Sequence, residues 1–174
     1  YGYTFVSKGT VPEFVEDLQH ESAVYEQLKP LQGSCIPVLL GAIDLRELER
    51  ICYYDFRVRI VYMIFVSWAG TCLDEADLPE DIKGKVRQEV EQSLRAVHSM
   101  QVVHRDIRKS NMFWNNETNK TMIIDFERAI LLDSPQLPLR EVIPGRKVQQ
   151  EAKSVLRLPY GLAQHDIAEA RALV

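Results

Sequence analysis

Two short runs carry the residue types that chemistry needs. His104-Arg105-Asp106-Ile107-Arg108-Lys109-Ser110-Asn111 offers a carboxylate and a carboxamide in one polar loop, and Ile123-Ile124-Asp125-Phe126-Glu127 adds a second carboxylate behind an apolar lead. Two carboxylates and a carboxamide brought to one place suit the holding of a nucleotide phosphate and its metal. Magnesium takes oxygen ligands in octahedral geometry and keeps several waters, so it needs few protein groups. A single Asp or Asn in a loop is ordinarily a cap or a turn residue. The joint pattern is far more specific than either residue alone.

Those residues need elements to position them, and the chain supplies a plausible order. Residues 3–7 are β-branched and aromatic and predict a strand ending at Lys8, before Gly9, with its last side chain projecting into a cleft. Pro12 with Glu13, Glu16 and Asp17 marks a helix start, since proline fits the first turn and anions suit the positive end of the helix dipole. Phe14, Leu18, Tyr25 and Leu28 recur at helical spacing until Pro30 and Gly33 stop the run. Glu21 lies on that apolar stripe, and a carboxylate on a buried face requires a partner. His20 is expected at the surface or its boundary.

Residues 36–43 and 58–66 predict strands rich in Val, Ile and aromatics, separated by a charged turn or short helix over 44–50 and followed there by 51–56. Ser67-Trp68-Ala69-Gly70 breaks the strand pattern. A second helix opens at Asp77-Leu78-Pro79-Glu80, is carried by Ile82, Val86, Val90, Leu94 and Val97, and leads through Met100-Gln101 directly into His104. Gly84 weakens its first turns, and His98 is expected at the core's edge. Residues 112–114 and 121–124 read as a strand pair around the polar turn 115–120, which would present Asn111 and Asp125 together. Beyond Glu127, 134–138 and 144–145 are turn-rich, and 147–158 and 164–174 predict short helices packed through Val148, Ala152, Val155, Leu156, Ile167, Ala170 and Leu173. Arg140, Arg146, Lys147, Lys153 and Arg157 form a local basic surface.

Composition bounds the function class. A chain of 174 residues, 46% apolar and 26% charged, is ordinary for one globular domain or two small lobes sharing a cleft. A formal charge of -4 without a basic stripe argues against nucleic acid as a partner. Cys35, Cys52 and Cys72 lack metal-ligand spacing and are odd in number, which points to a reducing intracellular compartment, cytoplasmic or nuclear. No apolar run reaches the roughly 18 residues of a membrane span. Asn116 and Asn119 open glycosylation sequons, read as chance matches in a polar loop.

The two runs identify the family the chain resembles. His104 to Asn111 fits the kinase catalytic-loop pattern H-R-D-x-x-x-x-N, and Asp125-Phe126-Glu127 occupies the place of D-F-G, so the chain resembles the eukaryotic-protein-kinase-like superfamily. The resemblance spans Lys8 to about Arg128 and implies an α+β, two-lobed fold. It would comprise an N-terminal lobe over 1–66 with a small antiparallel sheet and one helix, a hinge at 67–70, and a shortened, mainly helical C-terminal lobe over 71–174. By the same resemblance Lys8 in Val6-Ser7-Lys8 is the phosphate-pairing lysine, and Glu21 is the helix glutamate that orients it. Ser67, Trp68 and Ala69 lend hinge groups to the adenine. Asp106 accepts or orients the acceptor's hydroxyl proton, Arg108 neutralises charge on the transferred group, and Asn111 and Asp125 bind magnesium. ATP and Mg2+ are thus the implied cofactors, with a protein or small-molecule acceptor and no membrane partner.

Three departures qualify the expected activity. Only Tyr1 to Ser7 precede Lys8, so the glycine-rich loop is not expected within this sequence: either it belongs to a longer chain or nucleotide is held without that lid. Glu127 replaces the glycine of D-F-G, as in choline-kinase-like phosphotransferases with I-D-F-E. No A-P-E follows before Val174. In these respects the chain resembles shortened fungal kinase-like proteins. The sequence leaves three functions open: an ATP- and magnesium-dependent phosphotransferase, a catalytically inactive kinase-like binding or scaffold protein, and another group transfer with Asp106 as base.

Overall fold

The computed structural model describes residues 4–48, 52–54, 57–76, 79–132 and 160–174. Its first layer is an antiparallel sheet in the order β1 (Phe5–Thr10), β5 (Tyr62–Ser67), β2 (Leu39–Asp44), with the helix α1 (Val15–Gln27) against it. Strand β1 is longer than the expected 3–7 segment. It pairs with β5 through Thr10, which puts Lys8 in mid-strand opposite Ile64 rather than at a strand end. Lys8 still reaches the cleft, because alternate side chains of a strand face the same side.

The expected 58–66 strand is two strands. β4 (Val58–Ile60) forms a hairpin with β3 (Cys52–Tyr54), and the buried Val61 separates it from β5, its N–H donating to Thr10 and its carbonyl accepting from Leu45. The charged segment between the strands closes as a 3-10 turn at Leu45–Glu47, capped by the Asp44 side chain on the Arg46 N–H. The 36–43 expectation starts early: Ile36 is buried in a tight loop, its carbonyl taking the Gly33 N–H, and β2 begins only at Leu39.

Helix α1 also corrects one core assignment. Pro12–Phe14 is a 3-10 turn, so the stripe is reset before the α-helix begins. Phe14 is 57% exposed, while Val15, Leu18, Tyr25 and Leu28 are buried as the periodicity requires.

The second helix, α2 (Glu80–Ser99), buries Val86, Val90, Leu94 and Val97 completely or nearly so. Each such side chain contributes about 1.5–3 kcal/mol when removed from water. Pro79 precedes its first turn. The helix packs on a sheet ordered β6 (Thr71–Cys72), β8 (Met112–Asn115), β9 (Lys120–Ile123), and β7 (Val102–Val103) pairs with β10 (Ile130–Leu131). The terminal helix α3 (Tyr160–Leu173) starts earlier than expected and also packs on α2. The helix expected over 147–158, the basic residues from Arg140 to Arg157 and the opening Asp77-Leu78 lie outside the described residues.

One apolar core joins the two layers, running from Val24, Tyr25 and Leu28 through the α2 stripe to Met112, Trp114, Ile123 and Phe126. The fold is a shortened two-lobed α+β arrangement. Between β5 and β6 Gly70 takes a φ of +119°, and a Cβ there would collide with the Trp114 carbonyl. Only glycine lets the chain pass so close to β8. Among the described residues no helix is long and apolar enough to cross a membrane.

Candidate active site

The cleft between the two layers encloses about 300 Å³. Lys8, Glu21 and Asp125 line one part of it, and Ser67, Trp68 and Ala69 another. Val6, Ile64, Val66, Phe113 and Ile124 give it an apolar wall. Trp68 is half exposed and Ala69 buried.

Lys8 is the electrostatic centre. Its Nζ donates to Glu21 Oε2 at 2.8 Å, to Asp125 Oδ1 at 2.8 Å and to Glu127 Oε2 at 3.1 Å. Burial alone would lower the Lys8 pKa, but the charge of Glu21 and the hydrogen bonds to Asp125 and Glu21 outweigh it and push the ammonium's pKa up. Glu21 is driven the other way from a normal ion-paired carboxylate. Burial raises its pKa, the nearby Asp125 charge adds to the rise, and Lys8 together with the Phe126 N–H, 3.3 Å from Oε1, does not cancel it.

The polar loop lies next to this cluster. The Asn111 carboxamide nitrogen donates to the Asp106 carbonyl at 2.9 Å and to Asp106 Oδ2 at 3.3 Å. The Ile124 N–H donates to the Asn111 carbonyl at 3.0 Å, which fixes Asn111 beside the residue preceding Asp125. Arg108 spans both carboxylates, 2.9 Å from Asp106 Oδ2 and 3.7 Å from Asp125 Oδ2. Six of the nine sequence-derived candidates, Lys8, Glu21, Ser67, Trp68, Ala69 and Asp125, therefore line the cleft, and Asp106, Arg108 and Asn111 adjoin it through Asp125 and Ile124.

His104 ties those groups together. Its Nε2 donates to the Ile124 carbonyl at 2.9 Å, and its Nδ1 accepts the Asp106 N–H at 3.2 Å, an arrangement only the neutral ring can make. Burial keeps its pKa below the usual histidine value against the pull of that carbonyl and the surrounding carboxylates. Phe126 packs between the His104 ring, 4.9 Å away, and the Tyr25 ring, 5.4 Å away. Helix α1, the loop and the Asp125 segment are thereby one packed unit.

Sequence reasoning missed Asp166. This α3 residue is 1% exposed; its Oδ2 accepts from the His104 N–H at 2.8 Å and from His98 Nε2 at 3.0 Å, and its Oδ1 from the Arg105 N–H at 3.1 Å. Arg105 and Asp125 both adopt left-handed backbone, with φ of 64° and 67°. Such a conformation costs on the order of 1–3 kcal/mol and persists only where neighbours over-determine it. The Asp166 bond to the Arg105 N–H is one such determinant. A signal existed: Asp166 lies on the apolar stripe of Ala163, Ile167 and Ala170, the criterion that singled out Glu21. His20 lies at the boundary as expected. Its Nε2 hydrogen-bonds the Ala129 carbonyl at 2.8 Å, linking α1 to the segment after Glu127.

The protein kinase domain family matches residues 59–144, which include the loop and the Asp125 segment. The meiotic driver SPOK2 of Podospora anserina is 40% identical over 137 residues. The chain belongs to the protein-kinase-like superfamily. A probable serine/threonine-protein kinase 2 of Plasmodium falciparum is 37% identical over 132 residues, and the protein kinase OspG of Shigella flexneri 25% over 130 residues. These matches cover 78%, 72% and 70% of this kinase-like chain, but 16%, 24% and 64% of the respective relatives.

Proposed function

We propose that the cleft is the site of an ATP- and magnesium-dependent phosphotransferase. The observation that carries this reading is the meeting of Lys8, Glu21 and Asp125, the first and last 117 positions apart in sequence, at hydrogen-bond distance in the cleft lined by Ser67, Trp68 and Ala69. Phosphoryl transfer asks a protein for positioning and charge neutralisation rather than covalent chemistry, and each group present answers one of those needs.

In this reading the adenine rests on the apolar wall against Ser67, Trp68 and Ala69. Lys8, oriented by Glu21, donates to the nucleotide's phosphate oxygens. Asp125 and Asn111 would hold magnesium, and the donor set fits: a carboxylate and a carboxamide oxygen are the hard oxygen ligands this cation takes, with Lys8 and Arg108 as its competitors for Asp125. The Asn111 nitrogen is committed to Asp106, which leaves the amide oxygen for a cation. Bound magnesium supplies neutralisation of phosphate charge. Asp106 orients the acceptor hydroxyl and takes its proton as the γ-phosphoryl passes to that oxygen and ADP departs, with Arg108 balancing charge on the moving group. The kinase-named relatives favour a protein acceptor; Glu127 in place of glycine leaves a small acceptor as the alternative.

MgATP should raise the melting temperature, since a ligand specific for the native state stabilises it, and labelled γ-phosphate should pass to an acceptor. Asp125→Asn should abolish the MgATP shift, and Asp106→Ala should keep binding while stopping transfer. Binding without any transfer by the unmodified chain would favour the inactive binding-protein reading. Absence of any shift with ATP or magnesium removes the nucleotide from the function.

A further inference from the structure

An ammonium has three N–H donors, and in this cleft all three Lys8 donors are taken by carboxylates: Glu21, Asp125 and Glu127. These carboxylates offer oxygens within 4.8 Å of one another. A nucleotide phosphate can therefore reach Lys8 only by displacing one of them. Their surroundings decide which. The Glu21 side chain is 3% exposed, and stripping it of its cation would leave a buried, unpaired charge. Asp125 is 27% exposed and is also faced by Arg108. Glu127 is 45% exposed, its bond is the longest of the three, and once released it is solvated at once.

We infer that Glu127 is a built-in competitor for the nucleotide: it holds the third donor of Lys8 and is displaced by a phosphate oxygen. The inference rests on the phosphotransferase reading of this site and adds a residue to it that neither the catalytic-loop pattern nor the Lys8–Glu21 pair supplies. Two consequences follow. Glu127 keeps the long Lys8 side chain extended towards the cleft while no ligand is present, and it weakens binding of anything that carries phosphate. A ligand lacking phosphate does not contest the Lys8 donor and is indifferent to Glu127.

The test compares the unmodified chain with Glu127→Gln, which keeps size and removes charge. Calorimetric titrations are run with adenosine, ADP and ATP in EDTA, and with ATP in magnesium. The expected result is a Kd for metal-free ADP and ATP lower by about 2- to 5-fold in the variant, the range of one partly exposed ion pair, with adenosine unchanged. Equal or weaker metal-free ATP binding by the variant overturns the inference. So does a variant whose main change is a higher magnesium requirement, which would make Glu127 a metal ligand. If the unmodified chain binds no nucleotide under any condition, this inference and the phosphotransferase reading fall together. If it binds and transfers while the variant is indistinguishable, only the inference about Glu127 falls. Equal melting temperatures of the two proteins without ligand establish that the comparison is between folded states.

Discussion

Glu21 and Asp166 are equally hidden, 2% and 1% exposed, yet burial wins at one and loses at the other. At Asp166 burial raises the carboxyl's pKa, but His98 and the backbone N–H groups of His104 and Arg105 more than reverse it, and the net shift is downward. At Glu21 burial raises it too, while the principal counterweight is one lysine shared with two other carboxylates, and the net shift is upward. Fixed donors on packed backbone cannot leave; a lysine on a flexible stem can. Asp166 is thus an anchor held mainly by backbone, whereas Glu21, apart from the Phe126 N–H at 3.3 Å, is held through one shared side chain, the movable half of the comparison. The first holds the strained loop that carries Asp106, and the second holds Lys8 at the cleft.

The largest effect should come from removing the anchor. Asp166→Ala strands the buried His104 N–H, the part-buried Arg105 N–H and a histidine at the root of the loop, and should cost about 3–5 kcal/mol, the scale for breaking a buried charged network. Urea unfolding measures it. A loss below about 1 kcal/mol would mean that the left-handed Arg105 holds itself and that Asp166 is only a neighbour. Asp166→Asn, which retains one acceptor oxygen, should fall between the two.

Breaking the movable contact should cost less and depend on pH in the opposite sense. A carboxyl whose folded pKa lies above 4.5 binds its proton more tightly in the folded state, so its contribution to stability declines as pH rises through that window. Lys8→Met leaves Glu21 without its cation and should cost about 1–3 kcal/mol at pH 7.5, but little at pH 4.5, where Glu21 can take up a proton and become neutral. Unfolding at the two pH values tests this, and an equal penalty at both would assign the loss to packing of the lysine stem. Phosphoryl transfer in the same variant should fall at least about 100-fold, the scale of losing one preorganised donor.

The sequence made the movable half legible and left the anchor unread, for a physical reason. Lys8, Glu21, Asp106, Asn111 and Asp125 are chemistry-bearing types at recognisable spacings, and the helices and strands between them are strongly periodic, so both the elements and their meeting could be read. Misplaced boundaries fell where tertiary pairing overrode local pattern. β1 ran past Gly9 because β5 offered a partner as far as Tyr62, and the 3-10 turn at Pro12–Phe14 moved Phe14 off the stripe. Asp166 stands on a helix without a motif, and two of its three partners are backbone groups 61 and 62 positions away. Backbone donors leave no trace in side-chain spacing. Only its place on an apolar stripe announced it.

His98 offers the finest division of the comparison, because it supplies one of three donors to Asp166 and none to Glu21. His98→Leu should preserve the apolar packing and leave Asp166 held by the backbone of His104 and Arg105, for a loss of about 1 kcal/mol. It should also change the acid side of the stability curve. With a folded pKa below 3.8, Asp166 contributes stability that is present above that value and lost as pH falls through the folded pKa. Taking away the His98 bond raises the folded pKa towards the unfolded one, so less stability remains to be lost and the decline below pH 4 should become shallower. Urea midpoints between pH 3 and pH 7 make the comparison. A decline of unchanged steepness would place the whole anchoring function in the two backbone bonds and reduce His98 to packing.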